Sequence, residues 1–196
     1  CDTSVVHGAD ILEGICRRLY RMNGGQNAEM RELHLENRYN VSATIPDWSR
    51  EARRQWWDPS RQLLHSIRRY QYWRNHWGII GRNIARWHAL RHRFWSVVTG
   101  AEIQLTTQIG GGLLLIHPNG IVIHPSVELG PNCLIFHQVT LGTVTESKKN
   151  DVPKLGGHVD IGAGAKVLGK VVIGDHARIG ANAVVLQDVP PGALAV

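Results

Sequence analysis

Residues 161–190 read IGAGAK VLGKVV IGDHAR IGANAV VLQDVP, and the pattern repeats every six positions. Each unit opens with an aliphatic residue and has a small or branched residue at its fifth position; the pairs are Ile161 and Ala165, Val167 and Val171, Ile173 and Ala177, Ile179 and Ala183, and Val185 and Val189. The same spacing links Ile123, Leu129, Ile135 and Leu141 upstream, with Val127, Cys133 and Val139 as companions. Because one short unit cannot bury its apolar side alone, such units stack on one another. The pattern predicts a left-handed parallel β-helix, three units per coil, with both positions pointing inward.

The first half of the chain has a different composition. Residues 1–100 hold 16 Lys/Arg against 9 Asp/Glu and all seven tryptophans, whereas residues 101–196 hold 6 Lys/Arg against 7 Asp/Glu. We therefore predict an α+β protein with two domains: a basic, Trp-rich α-helical assembly domain over 1–100 and the β-helix over 101–196. Helical spacing of apolar residues predicts helices in four places: 9–22, 27–38, 49–77 (two helices divided at Asp58 and Pro59, with Asp58 or Ser60 as cap) and 81–98.

The six-residue spacing is interrupted twice. From Leu115 to Ile123 it is eight, which places His117 on a local excursion from the coil. From Leu141 to Ile161 it is twenty, which we interpret as one 18-residue coil plus two residues. This second interruption contains the polar run TESKKNDVPKLGG and predicts a projecting flap.

Several classes of protein are disfavoured by the remaining features. No apolar stretch is long enough to span a bilayer, and the first residues lack the layout of a secretory signal, so we expect a cytoplasmic protein. Cys1, Cys16 and Cys133 form an odd set without metal-ligand spacing. Neither a disulfide framework nor a bound metal is therefore expected.

Two segments resemble serine acetyltransferases, a family that includes similar enzymes of polysaccharide clusters: EIQLTTQIGGGLLLIHPNGIVIHPSVELGPNCLIFHQVTLG (102–142) and PKLGGHVDIGAGAKVLGKVVIGDHARIGANAVVLQDVPPGA (153–193). The resemblance implies direct acetyl transfer from acetyl-CoA to an acceptor hydroxyl, without metal or covalent intermediate. The family's general base matches His117, and imidazole suits that role near neutral pH. Glu102 stands fifteen residues upstream, where the family has an aspartate that orients the base. The alternative is that His117 is a simple turn residue and that His137 is the base.

The resemblance also implies contacts for both substrates. Backbone and small side chains would cradle the pantetheine arm of coenzyme A, and two cations would meet its phosphates; these residues are Gly142, Thr143, Ala163, Gly164 and Ala181, with Lys166 and Arg178 as the cations. Solvated surface charges are an equally good interpretation of the two cations. Candidate acceptor contacts are His137, His158 and Lys154. His124 and His176 are expected to be solvated.

The chain departs from the family where serine is bound. The family's aspartate before the catalytic histidine is Ile116 here, its flap histidine is Val152, and Asp58 is a poor counterpart for its helical-domain acid. Since a zwitterion needs paired charges, acetylation of a saccharide hydroxyl is the alternative reaction. A non-catalytic hexapeptide scaffold is the alternative outside enzymes. The family usually continues beyond a segment such as PPGALAV into a short tail.

The expected partner is a second copy of the chain. The resemblance implies a homotrimer with active sites between neighbouring β-helices, and the helical heads could pair two trimers. Trp and Arg dominate the centres of protein interfaces, so we interpret the basic, Trp-rich half as an assembly surface. Contact of this half with a membrane surface is a less favoured alternative, and nucleic-acid binding is not predicted.

Overall fold

The structure is a computed structural model that describes residues 41–144 and 151–196. Residues Ser42–Val196 form one compact unit. The helices predicted over 9–22 and 27–38 lie outside the described residues, as does part of the predicted flap. Whether 1–100 and 101–196 are separate domains stays a prediction.

Two helices precede the β-helix: α1, Pro59–Arg74, and α2, Gly78–Thr99. Helix α2 confirms the predicted helix over 81–98 and begins three residues earlier. It ends at Gly100, whose left-handed backbone (φ 65°) stops the helix. No helix in the described ranges combines the length and apolar character needed to cross a bilayer.

The helix predicted before Asp58 is wrong. Only a single 3-10 turn forms there, Trp48–Glu51, and the backbone becomes extended at Ala52. A helix confined to nine residues is marginal in water, and none of the turn's residues is buried. Pro59 opens α1, but Asp58 makes no side-chain capping bond and instead pairs with Arg61 at 3.1 Å.

The rest of the described chain is a three-sided coil of short parallel strands. The first face contains β1, β4, β7, β10 and β13, the second β2, β5, β8 and β11, and the third β3, β6, β9, β12 and β14. The strands are β1 Glu102–Ile103, β2 Gln108–Ile109, β3 Leu114–Leu115, β4 Val122–Ile123, β5 Glu128–Leu129, β6 Leu134–Ile135, β7 Thr140–Gly142, β8 Lys154–Leu155, β9 Asp160–Ile161, β10 Lys166–Leu168, β11 Val172–Ile173, β12 Arg178–Ile179, β13 Val184–Val185 and β14 Leu194–Ala195.

The interior confirms the hexapeptide prediction. Every first- and fifth-position residue quoted above is buried, and Ile135, Leu141 and Ile161 have no exposed surface. Cys133 lies among them, and burial raises the pKa of its thiol to about 12. Successive coils place identical repeat positions side by side, as in the pairing of Ile123 with Leu141 and of Leu141 with Val167.

The first interruption has the predicted length and the second does not. Two extra residues leave the prism between β3 and β4, where His117 lies. Leu141 occupies the first repeat position on the first face, and Leu155 occupies that position on the second face, fourteen residues later instead of six. The flap therefore has eight extra residues, because the interval from Leu141 to Ile161 covers two faces and not a whole coil.

The corners of the prism form three edges, which we name by a feature of each. The His117 edge joins the third and first faces, the flap edge joins the first and second, and the His158 edge joins the second and third. Residues with a left-handed backbone recur at two of these edges. On the His117 edge they are His117, Gly120, Gln138, Gly164 and Asn182. On the His158 edge they are Gly112, Asn132, His158, His176 and Gly192.

Glu51 and Arg68 attach α1 to the start of the β-helix. Glu51 Oε1 accepts from Arg68 at 2.8 Å and from the backbone N–H groups of Gly112 and Leu113. Arg68 also donates to the carbonyls of Ile109 and Gly110. Leu63, Leu64 and Ile67 of α1 belong to the same buried cluster as the β-helix interior.

Candidate active site

His117 lies on the two-residue excursion, with its side chain exposed. Its backbone is left-handed (φ 50°). The excursion is held by the amide of Gly120, which donates to the carbonyl of Gly100 at 2.8 Å. No hydrogen bond to the His117 ring is found within the described residues. An exposed imidazole is accessible to an acceptor hydroxyl, which is the first requirement of a general base.

Glu102 is close in the fold but is not bonded to His117. It lies on β1, in register with Val122, and its amide donates to the carbonyl of Ile121 at 2.7 Å. Its side chain is exposed, and in the described chain no hydrogen bond joins its carboxylate to the His117 ring. The orienting role of Glu102 stays a prediction, since hydrogen bonds of catalytic groups often shorten only when substrate binds.

His137 occupies the same edge one coil further along. The amide of Gln138 donates to Asn119, and the carbonyl of His137 accepts from Gly164 at 2.9 Å, so the backbone stacks directly under the His117 excursion. The His137 ring is half-buried, and among the described residues no group hydrogen-bonds to its Nδ1. A buried ring nitrogen without a partner is unusual, and it keeps His137 as the alternative candidate for the base.

Five further candidates lie on or beside the His117 edge. Ala163, Gly164 and Ala181 occupy the corner, Lys166 stands on the first face and Arg178 on the third. Lys166 Nζ donates to the carbonyl of Gln138, which draws this cation towards the edge. Gly164 is explained by packing alone, because its backbone is left-handed (φ 75°) and a Cβ would meet Asn182 Oδ1 at 2.1 Å.

The other candidates lie elsewhere on the prism. Gly142 and Thr143 end β7 at the flap edge, and a Cβ on Gly142 would meet nothing within 4 Å. Lys154 on the second face forms an ion pair with Glu128 at 2.9 Å. His158 is on its own edge. One copy of the chain therefore does not bring these four residues to His117.

Sequence reasoning missed a histidine pair on the His158 edge. The Nδ1 atoms of His158 and His176 are 2.9 Å apart, and the rings meet edge to face. The expectation that His176 is merely solvated is therefore wrong. Their separation of 18 positions, one regular coil, was the available signal. Within the described ranges no group of three or more His, Cys, Asp or Glu side chains is placed to hold a metal ion.

One cleft of the described structure lies away from the His117 edge. It has a volume of about 780 Å³ and lies between α1 and the second face, with Gln71, Arg74, Thr107 and Glu128 among its lining residues. Gln71 spans its base by donating to the carbonyls of Leu105 and Thr107. Because none of the edge candidates lines it, cleft size alone does not locate the chemistry.

Comparison with known proteins finds proteins that are similar to parts of this chain. Residues 153–187 match the model described as bacterial transferase hexapeptide (six repeats). The chain is 50% identical over 99 residues to the serine acetyltransferase of Helicobacter pylori strain J99, covering 50% of this chain and 58% of that protein. About half of the chain is therefore similar to serine acetyltransferases. The enzyme of Mycobacterium tuberculosis is 44% identical over 103 residues, covering 53% of this chain and 45% of the relative.

Solved serine acetyltransferases have the same architecture. The enzyme of Neisseria gonorrhoeae superposes with a TM-score of 0.59 at 34% identity, over 71% of this chain and 52% of that one. The Brucella abortus enzyme, solved in complex with coenzyme A, superposes with a TM-score of 0.57 at 29% identity, over 69% of this chain and 52% of that one. The chain thus spans about half the length of the serine acetyltransferases it matches. The predicted fold, helices followed by a left-handed hexapeptide β-helix, is confirmed.

Proposed function

We propose that this chain is an acetyl-CoA-dependent O-acetyltransferase of the serine acetyltransferase type, with His117 as general base. The observation that carries it is the 50% identity over 99 residues to a serine acetyltransferase. The exposed ring on a two-residue excursion supports the role, because it faces solvent where an acceptor can approach. We place the reaction in the cytoplasm.

The reaction is a direct transfer in a ternary complex. The acceptor oxygen attacks the thioester carbonyl and forms the new C–O bond while His117 takes the hydroxyl proton. The C–S bond then breaks, and the proton passes from the imidazolium to the departing coenzyme A thiolate. Glu102 is the positioning residue in this scheme, since a carboxylate near the imidazole stabilises its protonated form.

The donor would lie along the His117 edge. The corner residues Ala163 and Ala181 have small side chains, so an extended pantetheine arm can approach the backbone there. Lys166 and Arg178 flank the corner on adjacent faces and would meet phosphates. Gly142 and Thr143 at the flap edge join this site only if a neighbouring copy presents them.

A homotrimer is part of the proposal. Lys154, His158 and the flap lie on edges or faces away from His117 in one chain. A site that contains all of them therefore needs a second β-helix, with the His117 edge of one copy against another face of its neighbour. Pairing of two trimers through the helical heads is an extension of the same proposal.

The alternative acceptor is a saccharide hydroxyl. The place where the family has an aspartate is Ile116, so the residue before His117 offers no carboxylate to an amino acid's ammonium group. Val152, at the place of the family's flap histidine, is buried in the hydrophobic core and offers no polar contact. A sugar hydroxyl carries no charge that must be paired, so it tolerates both changes.

The test is a thiol-release assay with acetyl-CoA and, as acceptors, L-serine or a panel of sugars. We expect His117→Ala to lower kcat/KM by about 10²–10⁴-fold. His124→Ala, on the flap edge, is the matched control and should retain activity. Near-wild-type thiol release by His117→Ala would refute the assigned base. If the wild-type chain fails to bind acetyl-CoA at all, the scaffold alternative is correct instead.

A further inference from the structure

Helix α2 has two apolar faces, and only one of them is buried. The buried face contains Ala85, His88, Trp95 and Thr99, and the helix packs on α1. The second, which we call the α2 stripe, consists of large side chains that are each more than half exposed in the described structure: Ile80, Trp87, Leu90, Phe94 and Val97. Isolated apolar side chains on a surface are ordinary, but an aligned row marks an interaction site.

The spacing of the stripe makes it continuous along the helix. Its members follow one another at intervals of 7, 3, 4 and 3 residues. At about 100° per residue these positions cover roughly 100° of the helix circumference, on the side opposite the buried face. The stripe is therefore a second hydrophobic face of α2.

Arginines border the stripe. Arg82, Arg86 and Arg93 are exposed and lie along one side of it. Arg91 lies on the other side and donates to Gln62 of α1. From residue 59 to residue 101 the sequence contains eight arginines and no Asp or Glu, so nothing in either helix neutralises this charge.

We propose that the α2 stripe binds the surface of a bilayer that contains anionic lipids. An exposed aromatic and aliphatic face bordered by arginines is the pattern of helices that lie in the interface plane. The apolar side chains would enter the boundary between headgroups and acyl chains, while the arginines meet lipid phosphates. Trp77, at the start of α2, is 70% exposed and extends the aromatic surface.

Charge favours a membrane over a second copy of the chain as the occupant. Two α2 stripes packed together would bring arginine borders close to one another, and the helices supply no carboxylate to pair with them. Like charges at an interface are destabilising. An anionic lipid surface instead supplies counter-charges at every position along the helix. The inference is independent of the proposed enzymatic activity.

The experiment is co-sedimentation of the full chain with vesicles of phosphatidylcholine alone or of an equal mixture with phosphatidylglycerol. We expect at least tenfold stronger partition into the mixed vesicles at low salt, and loss of that difference at high salt, because screening weakens charge attraction. Equal partition into both vesicles, or no partition into either at low salt, would overturn membrane binding.

Two variants separate the apolar and charged contributions. Leu90→Glu with Phe94→Glu should abolish binding, and Arg86→Glu with Arg93→Glu should reduce it at least tenfold. Matched controls on the β-helix are Val172→Glu, at a position 53% exposed, and Lys170→Glu, and both should bind as wild type. Circular dichroism and thermal unfolding check that each variant is folded.

Analytical ultracentrifugation without lipid tests the competing occupant. If Leu90→Glu with Phe94→Glu lowers the oligomeric state and leaves vesicle binding unchanged, the stripe contacts a second copy and the membrane assignment is wrong. If the oligomeric state is unchanged and vesicle binding is lost, the membrane assignment stands.

Discussion

The β-helix and helix α2 use apolar residues in opposite ways. In the β-helix nearly every inward position is buried, and outward positions are mostly polar or half-exposed. In α2 the large residues Trp87, Leu90 and Phe94 remain exposed while smaller ones such as Ala85 are buried. Hydrophobicity in the prism thus stabilises the chain's own fold, whereas much of that in α2 is available to a partner.

The largest difference between the two regions should appear on introducing a charge. Ile161→Asp places a carboxylate inside the dry prism, and we expect a loss of more than about 4 kcal/mol in the free energy of unfolding. Leu90→Asp, on the exposed stripe, should cost less than about 1 kcal/mol. Denaturant unfolding of both variants measures this, and similar losses would mean that the stripe is packed in the native assembly.

The junction between the two regions should be the next most sensitive place. Glu51→Ala removes the partner of Arg68 and the acceptor of two backbone N–H groups, so we expect a loss of about 3 kcal/mol. Glu51→Gln keeps an acceptor oxygen and should lose less. Unfolding in urea compares the two variants, and equal losses would show that the charge of Glu51 matters more than its hydrogen bonds.

A smaller effect is expected at the His117 edge. Gly164→Ala adds a Cβ that would meet Asn182 Oδ1, at a left-handed backbone, and should cost about 1–3 kcal/mol. Adding Asn182→Gly to the Gly164→Ala variant should recover the part of the lost stability that comes from the clash. If the double variant is no more stable than Gly164→Ala alone, backbone strain accounts for the whole cost.

The last expected effect is a pH dependence confined to the helices, and it appears only below neutral pH. Burial, with Arg53 and Arg91 nearby, lowers the pKa of His65 to about 4, whereas an unfolded chain has a histidine pKa of about 6.5. Between these values only the unfolded state takes up the proton, so the free energy of unfolding should fall as pH is lowered through this range. His65→Gln should flatten that fall between pH 7 and pH 4. If the free energy of unfolding of His65→Gln falls with pH as steeply as that of the wild type, His65 does not contribute to the pH dependence.

The prism was well predicted because the six-residue period of the sequence is also the repeat of the fold. A residue at a first or fifth position points inward whatever surrounds it, so Ile135 and Ala165 could be assigned without coordinates. The flap length was misjudged because Leu141 and Ile161 are both inward residues, and the pattern does not say which face each belongs to. The helix predicted before Asp58 does not form, because a nine-residue helix that buries none of its side chains is only marginally stable.

The candidate site was only partly predictable. His117 was identified from the interruption that places it, and the structure does put it on an exposed corner. The placement of Lys154, His158 and Thr143 on other faces or edges was not predicted, because the eight extra residues of the flap hide which face each following repeat belongs to. The His158–His176 contact follows from an 18-residue spacing that the periodicity itself provides.

The flap has a consequence for how this protein can change. Eight residues enter the coil between Leu141 and Leu155, yet Leu141 pairs with Val167 as Ile123 pairs with Leu141. Corner length and strand registry are thus independent variables in this architecture. Selection can lengthen, shorten or exchange a corner segment while the stacked faces that carry the folding energy stay constant.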